Sequence, residues 1–182
     1  MTRILAISGS LRARSTNTTL LLAAARLATS GVQIDLYNGL GDLPLFNPDL
    51  DGKEPEAVRK FQAALAAADG ILICSPEYAH GVSGAMKNAL DWLVSDVNLV
   101  GKPVALINAS PRATYAQEAL LETLRTMSWN VVAEASRTVP VPRPGLSVDE
   151  ILGDKILRAE LDRAIKAFVD AIRSQNARSE RP

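Results

Sequence analysis

The chain has 182 residues, a length that suits one domain with a single hydrophobic core. Its 20 basic and 20 acidic side chains give a formal net charge of zero, so no strong field attracts nucleic acid or an anionic membrane. One cysteine excludes an internal disulfide, and no apolar run approaches the roughly 20 residues that span a bilayer. Because the N-terminus is typical of a strand and not of a signal region, we expect a soluble, cytoplasmic protein without nucleic-acid or membrane partners.

Apolar segments of strand length alternate with longer segments of helical periodicity, the pattern of βαβ units in a parallel sheet. The predicted strands are 3–8, 32–36, 70–75, 103–108 and 130–139. The predicted helices are 17–29, 55–68, 83–94, 113–127 and 148–174. The connection 39–55 contains an apolar stretch that predicts packing on the sheet or on a second subunit. We expect one domain over 1–175, followed by a polar tail over 176–182.

The first predicted strand leads into a loop rich in hydroxyl groups, directly before a helix. Within ten residues it carries five hydroxyls, one amide and two guanidinium groups: Ser10, Ser15, Thr16, Thr18, Thr19, Asn17, Arg12 and Arg14. Free N–H groups and the dipole at a helix N-terminus favour a phosphate, and a guanidinium matches phosphate geometry. The same residue types cap helices and fill turns, although capping needs only one or two of them. Since G-x-x-x-x-G-K-[ST] and G-x-G-x-x-G are both absent, a terminal phosphate such as that of FMN is the favoured ligand.

The loop after the third predicted strand contains Pro76, Tyr78, two glycines and the only histidine, His80. In a doubly wound sheet, ligands bind beyond the carboxyl ends of the strands, at the point where strand order reverses. The loops after strands one, three and four are therefore predicted to converge. Glycines let the backbone approach a flat ligand, and main-chain groups can pair with the edge of a heteroaromatic ring such as isoalloxazine.

Other polar residues near these loops have simpler interpretations. No second histidine or paired nucleophile accompanies His80, which favours a surface or subunit contact over catalysis. Lys87 and Asp91 lie four residues apart and could form a surface ion pair on a helix. In the fourth loop, Ser110 and Arg112 could flank a ring and a dinucleotide phosphate or cap the next helix. Neither a metal-ligand spacing nor a catalytic triad is evident, so we predict no catalytic side chain, no metal, and a cofactor that carries the chemistry.

Two segments together resemble the NADPH-dependent FMN reductase family of flavodoxin-like proteins, which includes chromate- and quinone-reducing enzymes. They are Gly9-Ser10-Leu11-Arg12-x-x-Ser15-x-Asn17 and Pro76-Glu77-Tyr78-x-x-x-x-x-Gly84-x-x-Lys87-Asn88-Ala89-x-Asp91-Trp92-Leu93. The resemblance implies a flavodoxin-like three-layer α/β sandwich with a five-stranded parallel sheet in the order 2-1-3-4-5. It further implies that 1–175 is an FMN-binding domain and that the chain forms a homodimer or a dimer of dimers, a homotetramer.

The resemblance also implies a flavin oxidoreductase. NADPH or NADH would reduce noncovalently bound FMN in a ping-pong cycle, and a small-molecule acceptor such as a quinone, free flavin, azo dye or metal oxyanion would then be reduced. A flavodoxin-type electron carrier, which binds FMN without oxidising NADPH, is the alternative, but such carriers tend to be strongly acidic and this chain is neutral. The cofactor-binding residues implied by position are Gly9, Ser10, Leu11, Arg12, Ser15, Thr16, Asn17, Pro76, Glu77, Tyr78, Ala79 and Ser110. Those before position 18 would hold the phosphate, Pro76 to Ala79 the isoalloxazine, and Ser110 the ribityl chain or ring.

This sequence departs from the family pattern in the third and fourth loops. Ala79 stands where the family usually has Asn, and Ser83 stands where it usually has Pro before Gly84. If the family contact at position 79 uses the Asn amide, flavin affinity or potential should shift. The fourth loop lacks the paired glycines expected next to a nicotinamide.

Overall fold

The computed structural model describes residues 1–179, which form one parallel sheet between two helical layers. The strands are β1 (Thr2–Ser8), β2 (Val32–Leu36), β3 (Gly70–Cys74), β4 (Glu77–Tyr78), β5 (Gly81–Val82), β6 (Pro103–Asn108), β7 (Asn130–Val131) and β8 (Arg137–Thr138). The helices are α1 (Thr16–Leu27), α2 (Glu56–Ala66), α3 (Gly84–Asp91), α4 (Thr114–Thr126), α5 (Val148–Gly153) and α6 (Lys155–Ser179). No helix within 1–179 has the length and hydrophobicity needed to cross a bilayer.

The main sheet has the strand order β2-β1-β3-β6-β7, with β8 pairing farther along β6, and all of these pairs are parallel. This topology confirms the predicted flavodoxin-like sandwich, because β7 and β8 together occupy the fifth position. The strand order reverses between β1 and β3, so the loops after these two strands lie side by side. The antiparallel pair β4–β5 is a separate hairpin in the loop after β3.

Both faces of the sheet are covered by helices, which explains why β3 and β6 are buried at every position. One apolar cluster packs α1, α5 and α6 against the sheet through residues such as Leu20, Ile151 and Phe168. The other packs α2, α3 and α4 against the opposite face through residues such as Phe61 and Leu90. The two clusters hold the carboxyl ends of β1, β3 and β6 at a common edge.

The predicted fifth strand, 130–139, is wrong as a continuous element. A 3₁₀ turn, Ala133–Ala135, separates β7 from β8. Ser136 bridges the interruption, since its Oγ accepts from the backbone N of Leu106 at 3.1 Å and donates to the carbonyl of Val132 at 2.9 Å. The backbone N of Leu106 in β6 therefore bonds a side-chain oxygen where a neighbouring strand would offer a carbonyl. Apolar periodicity in the sequence does not reveal such a bond.

The predicted helix 148–174 is also divided. α5 ends at Gly153, and Asp154 begins a new helix because its Oδ1 accepts from the backbone N of Ile156 at 2.8 Å and of Leu157 at 3.1 Å. α6 then continues to Ser179, so 176–179 of the predicted polar tail is helical. The rest of that tail, 180–182, lies outside the described residues.

The long connection after β2 packs on both the sheet and α3. Leu40 and Leu43 are buried in the second apolar cluster. The Nδ2 of Asn88 donates to the carbonyl of Pro44 at 2.9 Å, and its Oδ1 accepts from the backbone N of Phe46 at 2.8 Å. The Asn88 of the second motif thus anchors this connection.

Candidate functional site

The loop between β1 and α1 is organised by its own hydroxyl groups. Ser15 is the N-cap of α1, and its Oγ accepts from the backbone N of Thr18 at 3.2 Å. The Oγ of Ser8 accepts from the Oγ1 of Thr18 at 2.8 Å and from the backbone N of Ser10 at 3.3 Å. Capping therefore uses some of the hydroxyls, as the simpler interpretation predicted. The remaining first-turn N–H groups of a helix have no partner within it, so the positive end of α1 is available to an anion.

The first-loop residues divide between buried and exposed positions. Ser10, Ser15 and Asn17 are buried, whereas Leu11 and Arg12 are exposed. The Arg12 guanidinium makes no ion pair within 1–179. A cavity of about 290 Å³ next to this loop is lined by Ser8, Ser10, Leu11, Arg12, Thr18, Leu36, Tyr37, Asn38, Leu40 and Gly41. An unpaired guanidinium beside hydroxyls suits a phosphate or another oxyanion.

The loops after β1 and β3 are in direct contact at Gly9. Its backbone N donates to the carbonyl of Cys74 at 2.9 Å. A Cβ at this position would lie 2.2 Å from the Oγ and 2.7 Å from the Cβ of Ser75, closer than real Cβ atoms approach other heavy atoms, and 3.0 Å from its Cα. The structural role of Gly9, which was predicted to bind the cofactor, is thus to let the two loops touch.

Ser83 adds a second link between these loops. Its Oγ donates to the carbonyl of Gly9 at 2.6 Å and accepts from the backbone N of Met86 at 3.3 Å, capping α3. The side chain is buried. The sequence analysis noted Ser83 only as a departure from the family pattern. A serine directly before a helix was a sequence signal for the cap. The bond to Gly9 joins residues 74 positions apart, so it could be found only from the structure.

The third loop forms the tight β4–β5 hairpin. Its two turn residues, Ala79 and His80, have φ angles of 49° and 58°, so both are left-handed, as in a type I′ turn. The His80 ring stacks on Tyr115 with ring centroids 4.3 Å apart and an interplanar angle of 12°. His80 is exposed and contacts Tyr115 of the same chain. The turn is unusual in its residues, because Ala and His occupy positions where this type of turn favours Gly or Asn.

The carboxylate of Glu77 is directed toward α4. Its Oε2 accepts from the backbone N of Ala116 at 2.9 Å, in the first turn of that helix. A carboxylate at a helix N-terminus is stabilised by the free N–H groups and by the dipole. Glu77 therefore joins the hairpin to α4, and its side chain is already engaged in a structural bond.

The fourth loop is shaped by Asn108, which the sequence analysis did not single out. Asn108 is buried at the end of β6, and its Nδ2 donates to the carbonyl of Ala113 at 3.0 Å while its Oδ1 accepts from the backbone N of Ser110 at 3.1 Å. The Oγ of Ser110 accepts from the backbone N of Arg112 at 3.3 Å. An Asn that ends a strand and begins a turn was the available signal.

The start of α1 and the third and fourth loops meet around one cavity of about 300 Å³. It is lined by Asn17, Ser75, Pro76, Glu77, Asn108, Ala109, Ser110, Arg112 and Ala113. This volume lies at the lower end of the range of about 300–1,000 Å³ for small-molecule pockets. Of the predicted site residues, the structure brings Asn17, Pro76, Glu77 and Ser110 to this cavity. Ser10, Leu11 and Arg12 line the neighbouring 290 Å³ cavity instead.

The remaining predicted residues line neither of these two cavities. Ser15 caps α1, and Thr16 follows it as the first helical residue. Gly9 contacts Ser75 behind the loop, Tyr78 is exposed on β4, and Ala79 occupies the hairpin turn.

A larger cavity, of about 580 Å³, shares no residue with this region. Its lining includes Asp51, Glu54, Gln62, Ser95 and Asp96. The acidic lining would repel a phosphate. Within 1–179, no group of three or more His, Cys, Asp or Glu side chains could hold a metal ion.

The fold is that of a flavodoxin-like α/β protein, and the cavity of about 300 Å³ lies at the carboxyl edge of its sheet, beside the strand-order reversal, where ligands bind in folds of this kind. The family model for NADPH-dependent FMN reductase matches residues 2–144, and the chain belongs to this family. The description of this family names NADPH and FMN.

Individual relatives agree with this family. The chain is 41% identical over 111 residues to a 2-hydroxy-1,4-benzoquinone reductase from a Burkholderia species. The aligned region covers 59% of this chain and 60% of the relative. It is 38% identical over 111 residues to an NAD(P)H-dependent FMN reductase from Pseudomonas aeruginosa, with the same coverage of 59% and 60%. The matched part thus spans about 60% of the length of these curated relatives. Among solved structures, a flavoenzyme NAD(P)H:(acceptor) oxidoreductase from Paracoccus denitrificans superposes with a TM-score of 0.76 at 28% identity, covering 96% of this chain and 98% of that one.

Proposed function

We propose that this protein is an NAD(P)H-dependent, FMN-containing oxidoreductase that reduces a small-molecule acceptor. Bound FMN would supply the redox chemistry between the nicotinamide and a quinone, a free flavin, an azo compound or a metal oxyanion. The observation that carries the proposal is the meeting of the start of α1 with the third and fourth loops around the cavity that Asn17, Pro76 and Ser110 line.

The first loop would bind the phosphate end of FMN. The first-turn N–H groups of α1, the hydroxyls of Ser10 and Thr16 and the unpaired Arg12 supply donors and positive charge without a metal. Ser15 would act through the helix cap, because its Oγ already accepts from Thr18. Gly9 and Leu11 would shape the loop around this group.

The third and fourth loops would hold the ring. Pro76 and Ser110 line the cavity directly. The carboxylate of Glu77 already accepts a hydrogen bond from the start of α4. We therefore assign the contact of Glu77 with the ring to its backbone, and we assign the contacts of Tyr78 and Ala79 to their backbones as well. We assign no side chain as acid or base, because the cofactor would carry the redox chemistry and water can supply the proton that reduction of the acceptor consumes.

We also propose that the chain works as a homodimer or a dimer of dimers in the cytoplasm, where reduced nicotinamides are available. Leu45 is 84% exposed, and Leu11 and Phe46 also expose apolar surface. Leu11 lies against Gly41, in the same connection after β2 that carries the other two. Light scattering coupled to size exclusion would give the assembly, and the paired change Leu45→Glu with Phe46→Ser should reduce its mass if this surface is the contact.

The test of the enzyme function is anaerobic reduction of the reconstituted protein. Purified protein is loaded with FMN, and its absorbance is followed after NADPH or NADH is added, with 1,4-benzoquinone supplied afterwards. Bleaching by a nicotinamide and recovery with the quinone are expected. A protein that binds FMN but is bleached by neither nicotinamide would be an electron carrier, and one that binds no FMN would contradict the proposal entirely.

A matched pair of variants refines this test at the phosphate end. Arg12→Ala should weaken FMN retention on dilution, whereas Arg59→Ala, an arginine on α2, should leave it unchanged. Equal retention by the two variants would mean that hydroxyls and backbone hold the phosphate without Arg12.

A further inference from the structure

Cys74 and Asn17 form a buried pair next to the cavity. Cys74 is the last residue of β3, and Asn17 lies in the first turn of α1. The Sγ of Cys74 donates to the Oδ1 of Asn17, with the two atoms 3.1 Å apart. Cys74 is fully buried and Asn17 is 8% exposed, so bulk water does not compete for this bond.

The thiol is suited to act as a neutral donor. Burial raises the pKa of the Cys74 thiol well above its ordinary value, because the apolar surroundings disfavour the thiolate. The sulfur therefore keeps its proton at neutral pH. A protonated thiol can point its hydrogen at only one acceptor, and here that acceptor is an amide oxygen.

This bond determines which end of the Asn17 amide faces the cavity. The Oδ1 is directed at Cys74, and the Nδ2 has no hydrogen-bond partner among residues 1–179. Since no fully buried side-chain nitrogen or oxygen of the described part of the chain lacks a partner, the Nδ2 must be the accessible end of the side chain. Asn17 lines the 300 Å³ cavity, so two N–H donors are presented to a ligand there.

We propose that Cys74 is a positioning residue for the cofactor: its thiol holds the Asn17 amide in the orientation that offers the Nδ2 to an oxygen of bound FMN. The inference rests on the proposed function for the identity of the ligand. The proposal gives a role to the only cysteine of the chain. Core packing would need only a small apolar side chain at position 74, whereas this role needs the hydrogen on the sulfur.

Two matched pairs of variants separate the donor from the packing. Cys74→Thr and Cys74→Val have similar shapes, but only the first keeps a donor, and Cys74→Ser and Cys74→Ala form the corresponding smaller pair. FMN dissociation constants are measured by fluorescence quenching. We expect Thr and Ser to remain within about 2-fold of the parent and Val and Ala to bind about 3- to 10-fold more weakly, the range for loss of one neutral hydrogen bond. In an Asn17→Ala background, the Thr–Val difference should vanish.

A second measurement does not need FMN. In the apo protein, the side-chain amide resonances of Asn17 should shift in Cys74→Val and stay near the parent position in Cys74→Thr. Equal FMN affinities for the Thr and Val variants, or a Thr–Val difference that persists without Asn17, would overturn the positioning role. If the parent binds no FMN, the proposed function fails, and the amide resonances still decide whether the thiol orients Asn17. Indistinguishable resonances in the two variants would reject that orientation too.

Discussion

The loops after β1 and β3 both border the candidate site, yet they are held in place by different kinds of bonds. Most side-chain bonds within the first loop join residues two to four apart, such as Ser15 to Thr18 and Ser10 to Arg12. In the third loop, the side chain of Glu77 bonds a residue 39 positions away, and that of Ser83 bonds Gly9, 74 positions away in the first loop. The first loop is therefore shaped mainly by local bonds and is tied to the rest of the fold at Gly9, whereas the side chains of the third loop bond distant parts of the fold. Substitutions in the two loops should therefore change the free energy of unfolding by different amounts.

The largest effect is expected where the two loops touch. Gly9→Ala places a Cβ within 3.0 Å of three atoms of Ser75, including its Cα. The clash forces the loops apart, and we expect a loss of about 1–3 kcal/mol in the free energy of unfolding together with weaker FMN binding. Urea denaturation and FMN titration measure both quantities.

A control and a compensating change sharpen this test. Gly84→Ala should be neutral or slightly stabilising, because a Cβ there meets nothing within 4 Å and the residue lies in α3. Adding Ser75→Gly to Gly9→Ala removes two of the three close atoms and should recover part of the stability. Full stability of Gly9→Ala by itself would show that the loops can separate without cost.

Ser83→Ala should have the next largest effect. It removes the cap of α3 and the bond to the carbonyl of Gly9, and we expect a loss of about 1–2 kcal/mol in the free energy of unfolding. Ser83→Thr keeps the hydroxyl and should restore most of it. Thermal unfolding of the two variants side by side makes the comparison, and equal losses would assign the effect to packing.

Glu77→Ala should have a smaller effect, because the carboxylate is only partly buried. We expect a loss of about 1 kcal/mol from the bond to the backbone N of Ala116 at the start of α4. Glu77→Gln retains an oxygen acceptor and should lose less. Urea denaturation measures stability, and amide hydrogen exchange at 114–117 should increase in the Ala variant alone. Unchanged exchange there would mean that α4 begins equally well without Glu77.

The smallest expected effect has the opposite sign. Ala79 is held at a φ of 49°, so Ala79→Gly or Ala79→Asn should stabilise the protein by up to about 1 kcal/mol by relieving a left-handed conformation that alanine disfavours. Ala119→Gly, in the exposed middle of α4, provides the contrast, since glycine should cost about 1 kcal/mol there. Both are read from thermal unfolding, and destabilisation by Ala79→Gly would contradict the argument.

The comparison of the two loops also explains what could be predicted. The parallel sheet followed from apolar segments of strand length. The hydroxyls of the first loop were recognised as possible helix caps, but the choice of Ser15 among them came from the structure. The split of 130–139 was missed because Ser136 joins β6 through its side chain. The divided final helix was missed because apolar periodicity continues across Gly153, although Asp154 gave a local capping signal.

By itself, the sequence predicted the parallel sheet and a first loop suited to a phosphate, because these depend on periodicity and on residues close together in the chain. Its two motifs identified the family, and the family implied the strand order. Only the tertiary structure decided that Glu77 bonds α4, that Ser83 joins the first loop, and that Cys74 bonds Asn17. Each of these bonds links residues at least 39 positions apart. Such pairs meet only after packing against the sheet has brought the carboxyl ends of β1, β3 and β6 together.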